Sequence, residues 1–227
     1  MIPIRDHNPS GKTPWVTYFL IAANCIVFLY MVLLPEDSLE QFIYSYAVIP
    51  RQLLQGQKVL SLLSAMFLHG SFGHIIGNML FLNIFGDNLE DVLGHFKFIL
   101  FYLLCGLGAW ALQLLITPAS EIPMLGASGA IAGVMGGYLV LFPNNKIDIL
   151  FTLGWYISRV SLPAYTMLFY WFFAQLLYGV GGLGFADVGG VAYFAHIGGF
   201  AAGWVLISLL GRKKGRNQRG DLFFPGL

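Results

Sequence analysis

The threading of this chain turns on Ile147-Asp-Ile-Leu-Phe-Thr-Leu-Gly-Trp-Tyr-Ile-Ser158, with Arg159 behind it. The segment is apolar, but a helix needs about 20 predominantly apolar residues to cross a hydrocarbon core. It is too short to cross and reads as interfacial. Six longer apolar runs then remain around it, and both termini fall on one side of a membrane. Had it crossed, Ser128 and His196 would sit in opposite leaflets.

The six runs are Trp15–Leu34, Ser71–Asp87, Phe96–Ile116, Met124–Phe142, Leu162–Gly179 and Val191–Leu210. Composition requires such an arrangement: 57% of the 227 residues are hydrophobic, 10% are charged, and mean hydropathy is +0.73. Soluble domains carry roughly 25% charged residues, so a soluble globule, a disordered chain and a coiled coil are all excluded. Cys25 and Cys105 lie inside apolar runs and read as small hydrophobes rather than a disulfide or metal pair. The N-terminus MIPIRDHNPSGKTP lacks the layout of a cleavable signal peptide. The expected fold is an all-α membrane protein, a six-helix transmembrane bundle whose first outer loop, Pro35–Gly70, lies partly in the membrane.

Lys and Arg set the orientation. With termini inside, the inner side holds Arg5, Lys12, Lys97, Lys146, Arg159, Arg212, Lys213, Lys214, Arg216 and Arg219. The outer side holds Arg51 and Lys58, which completes the 12 basic residues. Residues 1–14 therefore form a cytoplasmic N-terminal segment, 15–210 the membrane domain, and 211–227 a basic cytoplasmic tail. That tail reads as a topology anchor rather than a nucleic-acid-binding arm, since the net charge is only +1.

Ionisable side chains inside a span are costly, so each marks a candidate site. His74 and Asn78 stand four apart on one face of the second run. His69 precedes them, Ser128 follows Gly126-Ala127 near the start of the fourth run, and His196 lies early in the sixth. Runs two, four and six all enter from the outer side. Ser128 falls roughly 6 Å and His196 roughly 8–9 Å below their helix starts, at a rise of 1.5 Å per residue. Four polar groups from three helices thus share one layer. A serine with a histidine to take its proton, beside donors for an oxyanion, suits nucleophilic acyl transfer. No acidic residue lies at that depth, so the expectation is a Ser–His dyad with no third, acidic member. Plainer readings exist. Ser128, with Gly129/Gly133 and Gly199/Gly203, could be small-residue helix packing, and His196 could be a core histidine. The three histidines lack a carboxylate or thiolate to complete a metal site. Asn24, Asn83, Gln113 and Gln175 read as interhelical hydrogen-bond formers, and His7 and His95 as solvated.

These blocks together resemble the rhomboid intramembrane serine proteases, bacterial type. The matching pieces are His69-Gly-Ser-Phe-Gly-His74-Ile-Ile-Gly-Asn78, Gly126-Ala-Ser-Gly-Ala-Ile and Ala195-His196-Ile-Gly-Gly, with MIPIRD and Asn24 besides. The resemblance covers about residues 1–211. It implies a catalytic dyad of Ser128 and His196 and an oxyanion hole that includes His74 and Asn78. It gives His69 a supporting role and makes Gly199 and Gly203 packing residues, alongside Gly126 and Gly129 near the serine. It further implies cleavage of membrane-anchored protein substrates in or beside their transmembrane segments. No cofactor, metal or nucleic acid takes part, and the location is a bacterial inner membrane with the site opening outward. Relatives without the dyad would instead bind or retain transmembrane clients.

Two positions depart from the family pattern. Leu60 and Ser61 replace a Trp-Arg pair, and Ala132 replaces a tyrosine that in some members stacks on the catalytic histidine. His196 must then be oriented by another group. The glycine-dense segment 179–190 reads as a mobile cap over the site. Trp171, Phe172 and Phe173 read either as a lateral substrate entry or as ordinary lipid-facing aromatics.

Overall fold

The computed structural model describes residues 2–153, 156–182 and 190–210. Helices stand where the six runs were expected: α1 (Trp15–Leu33), α5 (Phe72–Leu93), α6 (His95–Ile116), α7 (Ser128–Leu141), α8 (Ala164–Gly181) and α9 (Tyr193–Leu210). Between α1 and α5 lie the short helices α2 (Glu36–Tyr46), α3 (Pro50–Leu54) and α4 (Ser61–Ser64), the last running into a 3-10 turn at Ala65–Phe67. By length and apolar composition α1, α6 and α9 can cross a bilayer, and residues 61–67 with 72–93, bent by 95°, can form a fourth span. The other two are marginal for a physical reason. The α7 helix has only 14 residues, and α8 is diluted by tyrosines, a tryptophan and Gln175. Outward-facing positions are apolar, Phe19, Ile26 and Leu33 on α1 and Leu177 on α8 among them, as lipid-facing helices require.

The fold is not purely helical. The described residues of Ile147–Ser158 are extended and paired rather than helical. Strands β2 (Lys146–Leu153) and β3 (Tyr156–Pro163) pair antiparallel, and β1 (Ile2–Asp6) from the N-terminal segment pairs antiparallel with β2. The signal was the two-residue period of Ile147-Asp-Ile149, which buries both isoleucines on one face. The opposite face puts Asp148 against Arg5, Arg159, His7 and Ser161, so Asp148 is 1% exposed yet fully paired. His7 and His95 are partly exposed, as expected, and each also has a partner, His7 at Asp148 and His95 at the Glu90 carboxylate.

The segment between α1 and α5 is a docked structure. Ala47, Val48, Ile49, Ala65 and Met66 are buried. Trp110 Nε1 on α6 donates to the Leu62 carbonyl (3.0 Å). Val48 and Met124 exchange backbone hydrogen bonds of 2.9 and 2.8 Å. The loop thereby holds the extended segment that leads into α7. Cys105 is buried and Cys25 half-buried, both as free thiols.

Candidate active site

The chain turns sharply into α7. Gly126 has φ +129°, a region L side chains rarely adopt, and its N–H donates to the Ala65 carbonyl (2.8 Å). A β-carbon at Gly126 would stand 2.8 Å from the His74 ring. Glycine therefore allows both the turn and the approach of His74. Ser128 is the first residue of the helix, four later than the sequence pattern suggested, because Met124 is taken up in the bridge to Val48. The first turn of α7 consequently presents backbone N–H groups with no intrahelical partner around the Ser128 hydroxyl.

His196 reaches Ser128 because α7 and α9 touch through their backbones. A β-carbon on Gly199 would collide with the Gly129 carbonyl oxygen, and one on Gly203 with that of Gly133. Removing those side chains brings the helices to the separation at which His196 Nε2 lies 2.7 Å from Ser128 Oγ. Nearby, the Ala195 N–H in the first turn of α9 is shared between the Ala192 carbonyl and Gln113 Oε1 on α6, each at 3.0 Å, which ties α6 to α9.

His74 sits in the first turn of α5, whose start is capped by Ser71 accepting from the His74 N–H (3.2 Å). Asn78 follows one turn later on the same face. Its Nδ2 lies 2.8 Å from Nε2 of the buried His69, and the His69 and His74 rings meet edge to face at 5.0 Å. Ser128, His196, His74 and Asn78 all line one cavity of about 610 Å³, walled also by Trp171 and Met135. Among the described residues no three His, Cys, Asp or Glu side chains gather as a metal-binding group. The arrangement can move a proton between Oγ and Nε2 beside several neutral donors.

A family model for the rhomboid domain matches residues 56–213, well over half of the chain. The chain belongs to the rhomboid family. It is 33% identical over 156 residues to RHOMBOID-like protein 6, mitochondrial, and 34% over 156 to RHOMBOID-like protein 4, both of Arabidopsis thaliana. Each match takes in 69% of this chain, with 45% and 35% of the relatives. It is also 26% identical over 205 residues to Rhomboid protease GluP of Bacillus subtilis, covering 90% of this chain and 36% of that protein. The chain thus spans less than half the length of these curated relatives. Its helices and its family make it an integral membrane protein.

In this rhomboid the aromatic against His196 comes from α8 rather than from position 132. Ala132 is buried without an aromatic ring, and the Trp171 ring lies 5.8 Å from that of His196, tilted by 31°. One turn on, Gln175 Oε1 lies 2.7 Å from His196 Nδ1. By sequence pattern alone Gln175 is a generic interhelical hydrogen-bond former, and Trp171 is either a substrate-entry or a lipid-facing residue. The four-residue spacing that puts both on one face of α8 was the available clue. Gln113 does bond between helices, whereas Asn24 bonds within α1 to Leu20 and Asn83 faces outward. At the other departure, Leu60 is exposed and Ser61 buried at the start of α4. The cap expected over 179–190 falls for residues 183–189, and the basic tail 211–227 entirely, outside the described residues.

Proposed function

We propose that this rhomboid is an intramembrane serine endopeptidase acting on membrane-anchored proteins. The observation that carries the reading is the 2.7 Å contact of Ser128 Oγ with His196 Nε2 on the wall of an open cavity. As Oγ attacks the substrate carbonyl carbon, Nε2 takes its proton. The resulting oxyanion is held by N–H groups in the first turn of α7 and by His74 and Asn78. An amide NH₂ carries two donors, so the Asn78 bond to His69 leaves one free. Collapse breaks the C–N bond, and the departing amine receives the proton from His196. Water then adds to the acyl-Ser128 ester, giving its proton to His196, and the freed carboxylic acid leaves as Oγ regains a proton.

The membrane placement belongs to the same proposal. Six spans put both termini in the cytoplasm, with the sheet on that side and Arg51 and Lys58 outside. The α7 helix is then about 21 Å long against a core of about 30 Å, so Ser128 lies recessed below the outer surface yet open to water. The location proposed is a bacterial cell membrane. Residues 15–210 form the protease domain.

The test is covalent labelling of the detergent-purified protein with a fluorophosphonate, in which Oγ displaces fluoride from phosphorus. Labelling that vanishes in Ser128→Ala and His196→Ala, both still folded, is the expected result. A folded wild type that neither labels nor cleaves a transmembrane substrate would instead be a client-binding rhomboid without catalysis.

A further inference from the structure

The geometry points to Gln175 as a positioning residue that completes a Ser128–His196–Gln175 triad in this chain; the inference rests on the protease reading above. A serine whose proton is taken by a histidine needs Nε2 unprotonated, and an imidazole free to change tautomer offers that state only part of the time. His196 is not free. Its Nδ1 lies 2.7 Å from Gln175 Oε1 while Nε2 lies 2.7 Å from Ser128 Oγ. An oxygen at that place can only accept, so the ring proton sits on Nδ1 and Nε2 turns its lone pair to the serine. The amide nitrogen in the same position would reverse this, leaving an N–H aimed at Ser128 and an inert hydroxyl. One amide therefore separates the two states of the serine.

The surroundings leave this role to Gln175. Besides Ser128 on α7, the groups facing His196 are His74 across the cavity on α5, Tyr193 on its own helix, and Trp171 and Gln175 on α8. Among the described residues, no carboxylate hydrogen-bonds the imidazole. Trp171, one turn before Gln175, lies beside the ring with centroids 5.8 Å apart and a tilt of 31°, and so limits its rotation on that side. A neutral acceptor also suits the place, since a carboxylate within the hydrocarbon depth would carry a desolvation cost that an amide avoids. The amide of an asparagine orients histidine in the same way in papain-like cysteine proteases. Because Gln175 stands on α8, not on α7 or α9, any displacement of α8 would release the imidazole.

The experiment measures the rate of fluorophosphonate labelling of the full chain against pH, in wild type, Gln175→Leu, Gln175→Glu and Ser128→Ala. Gln175→Leu should lose about tenfold in rate, the scale of one hydrogen bond to a neutral group. Gln175→Glu should recover that rate and move the midpoint of the acid limb up by about one pH unit or more, because a carboxylate there favours the imidazolium. A purely structural glutamine would leave the midpoint where it was. A Gln175→Leu protein with the wild-type rate and profile overturns the triad while labelling lost in Ser128→Ala leaves the protease reading standing. Should Gln175→Leu fail to fold, an unmoved midpoint in Gln175→Glu overturns it equally. No labelling of a folded wild type at any pH overturns both.

Discussion

The two ends of α7 are held by opposite means. At Ser128 the groups are neutral, and their spacing comes from backbones in contact through Gly129, Gly133, Gly199 and Gly203. At the far end the groups are charged. Asp148 gathers Arg5, Arg159 and His7, Glu90 accepts from the N–H groups of Val16 and Thr17, and Asp6 accepts from Tyr138. Charge is tolerable where water is near and costly at depth. The site end is therefore built on steric contact, which salt and pH do not touch, and the sheet end on electrostatics, which they do.

That contrast can be broken at either end. The largest expected effect is on chemistry: Asn78→Ala should cut turnover of a transmembrane substrate by about 10²–10³, the cost of one oxyanion donor, with a much smaller change in unfolding midpoint. Next, Gly199→Ala pushes a methyl group into the Gly129 carbonyl and must part α7 from α9. A loss of about 2–3 kcal/mol, read by denaturant titration in detergent, should accompany lost labelling. Gly73→Ala, with nothing within 4 Å of the new methyl, is the control and should stay within about 0.5 kcal/mol. Asp148→Ala should lower stability less than Gly199→Ala while leaving the labelling rate of the folded fraction unchanged. If Asp148→Ala slowed labelling as much as Gly199→Ala, the two ends would not be separate.

The grouping of the candidate site was legible because lipid makes polar residues conspicuous. His74, Asn78, Ser128 and His196 stand out in apolar runs, and an error of four residues in where α7 begins did not disturb their grouping. What escaped was of two kinds. The sheet needed partners distant in sequence: residues 2–6 pair with 147–150, and no local pattern in MIPIRD announces a strand so far from its mate. Gln175 and Trp171 were visible as residues but not as neighbours of His196, because helical spacing tells which residues share a face and not which helix that face meets. The count of spans stayed a matter of hydropathy for the same reason, since α7 and α8 are short or mixed exactly where they serve the cavity.

The smallest expected effect separates two carboxylates within the sheet end itself. Asp148 is held well below its ordinary value of 3.8, first by the hydrogen bond from Arg159, then by those from Ser161 and His7. Its contribution is present above about pH 4 and is lost as pH falls further. Asp6 runs the other way. Burial pushes its carboxyl from 3.8 up to about 6, against the hydrogen bond from Tyr138 that pulls it down. The folded state then favours the protonated acid, so stability is fullest below about pH 4 and declines as pH rises toward 6, levelling beyond it. Asp6→Asn keeps an oxygen for Tyr138 and Asn88 (2.8 and 3.0 Å in the wild type) but cannot ionise. Relative to this variant, the wild type should lose about 1 kcal/mol across that window once solvent screening is allowed for. Unfolding midpoints measured below and above it give the difference. Parallel curves for the two proteins would mean that the strap of β1 onto α7 does not feel the charge on Asp6, and that the pH response of the sheet end comes from its other carboxylates.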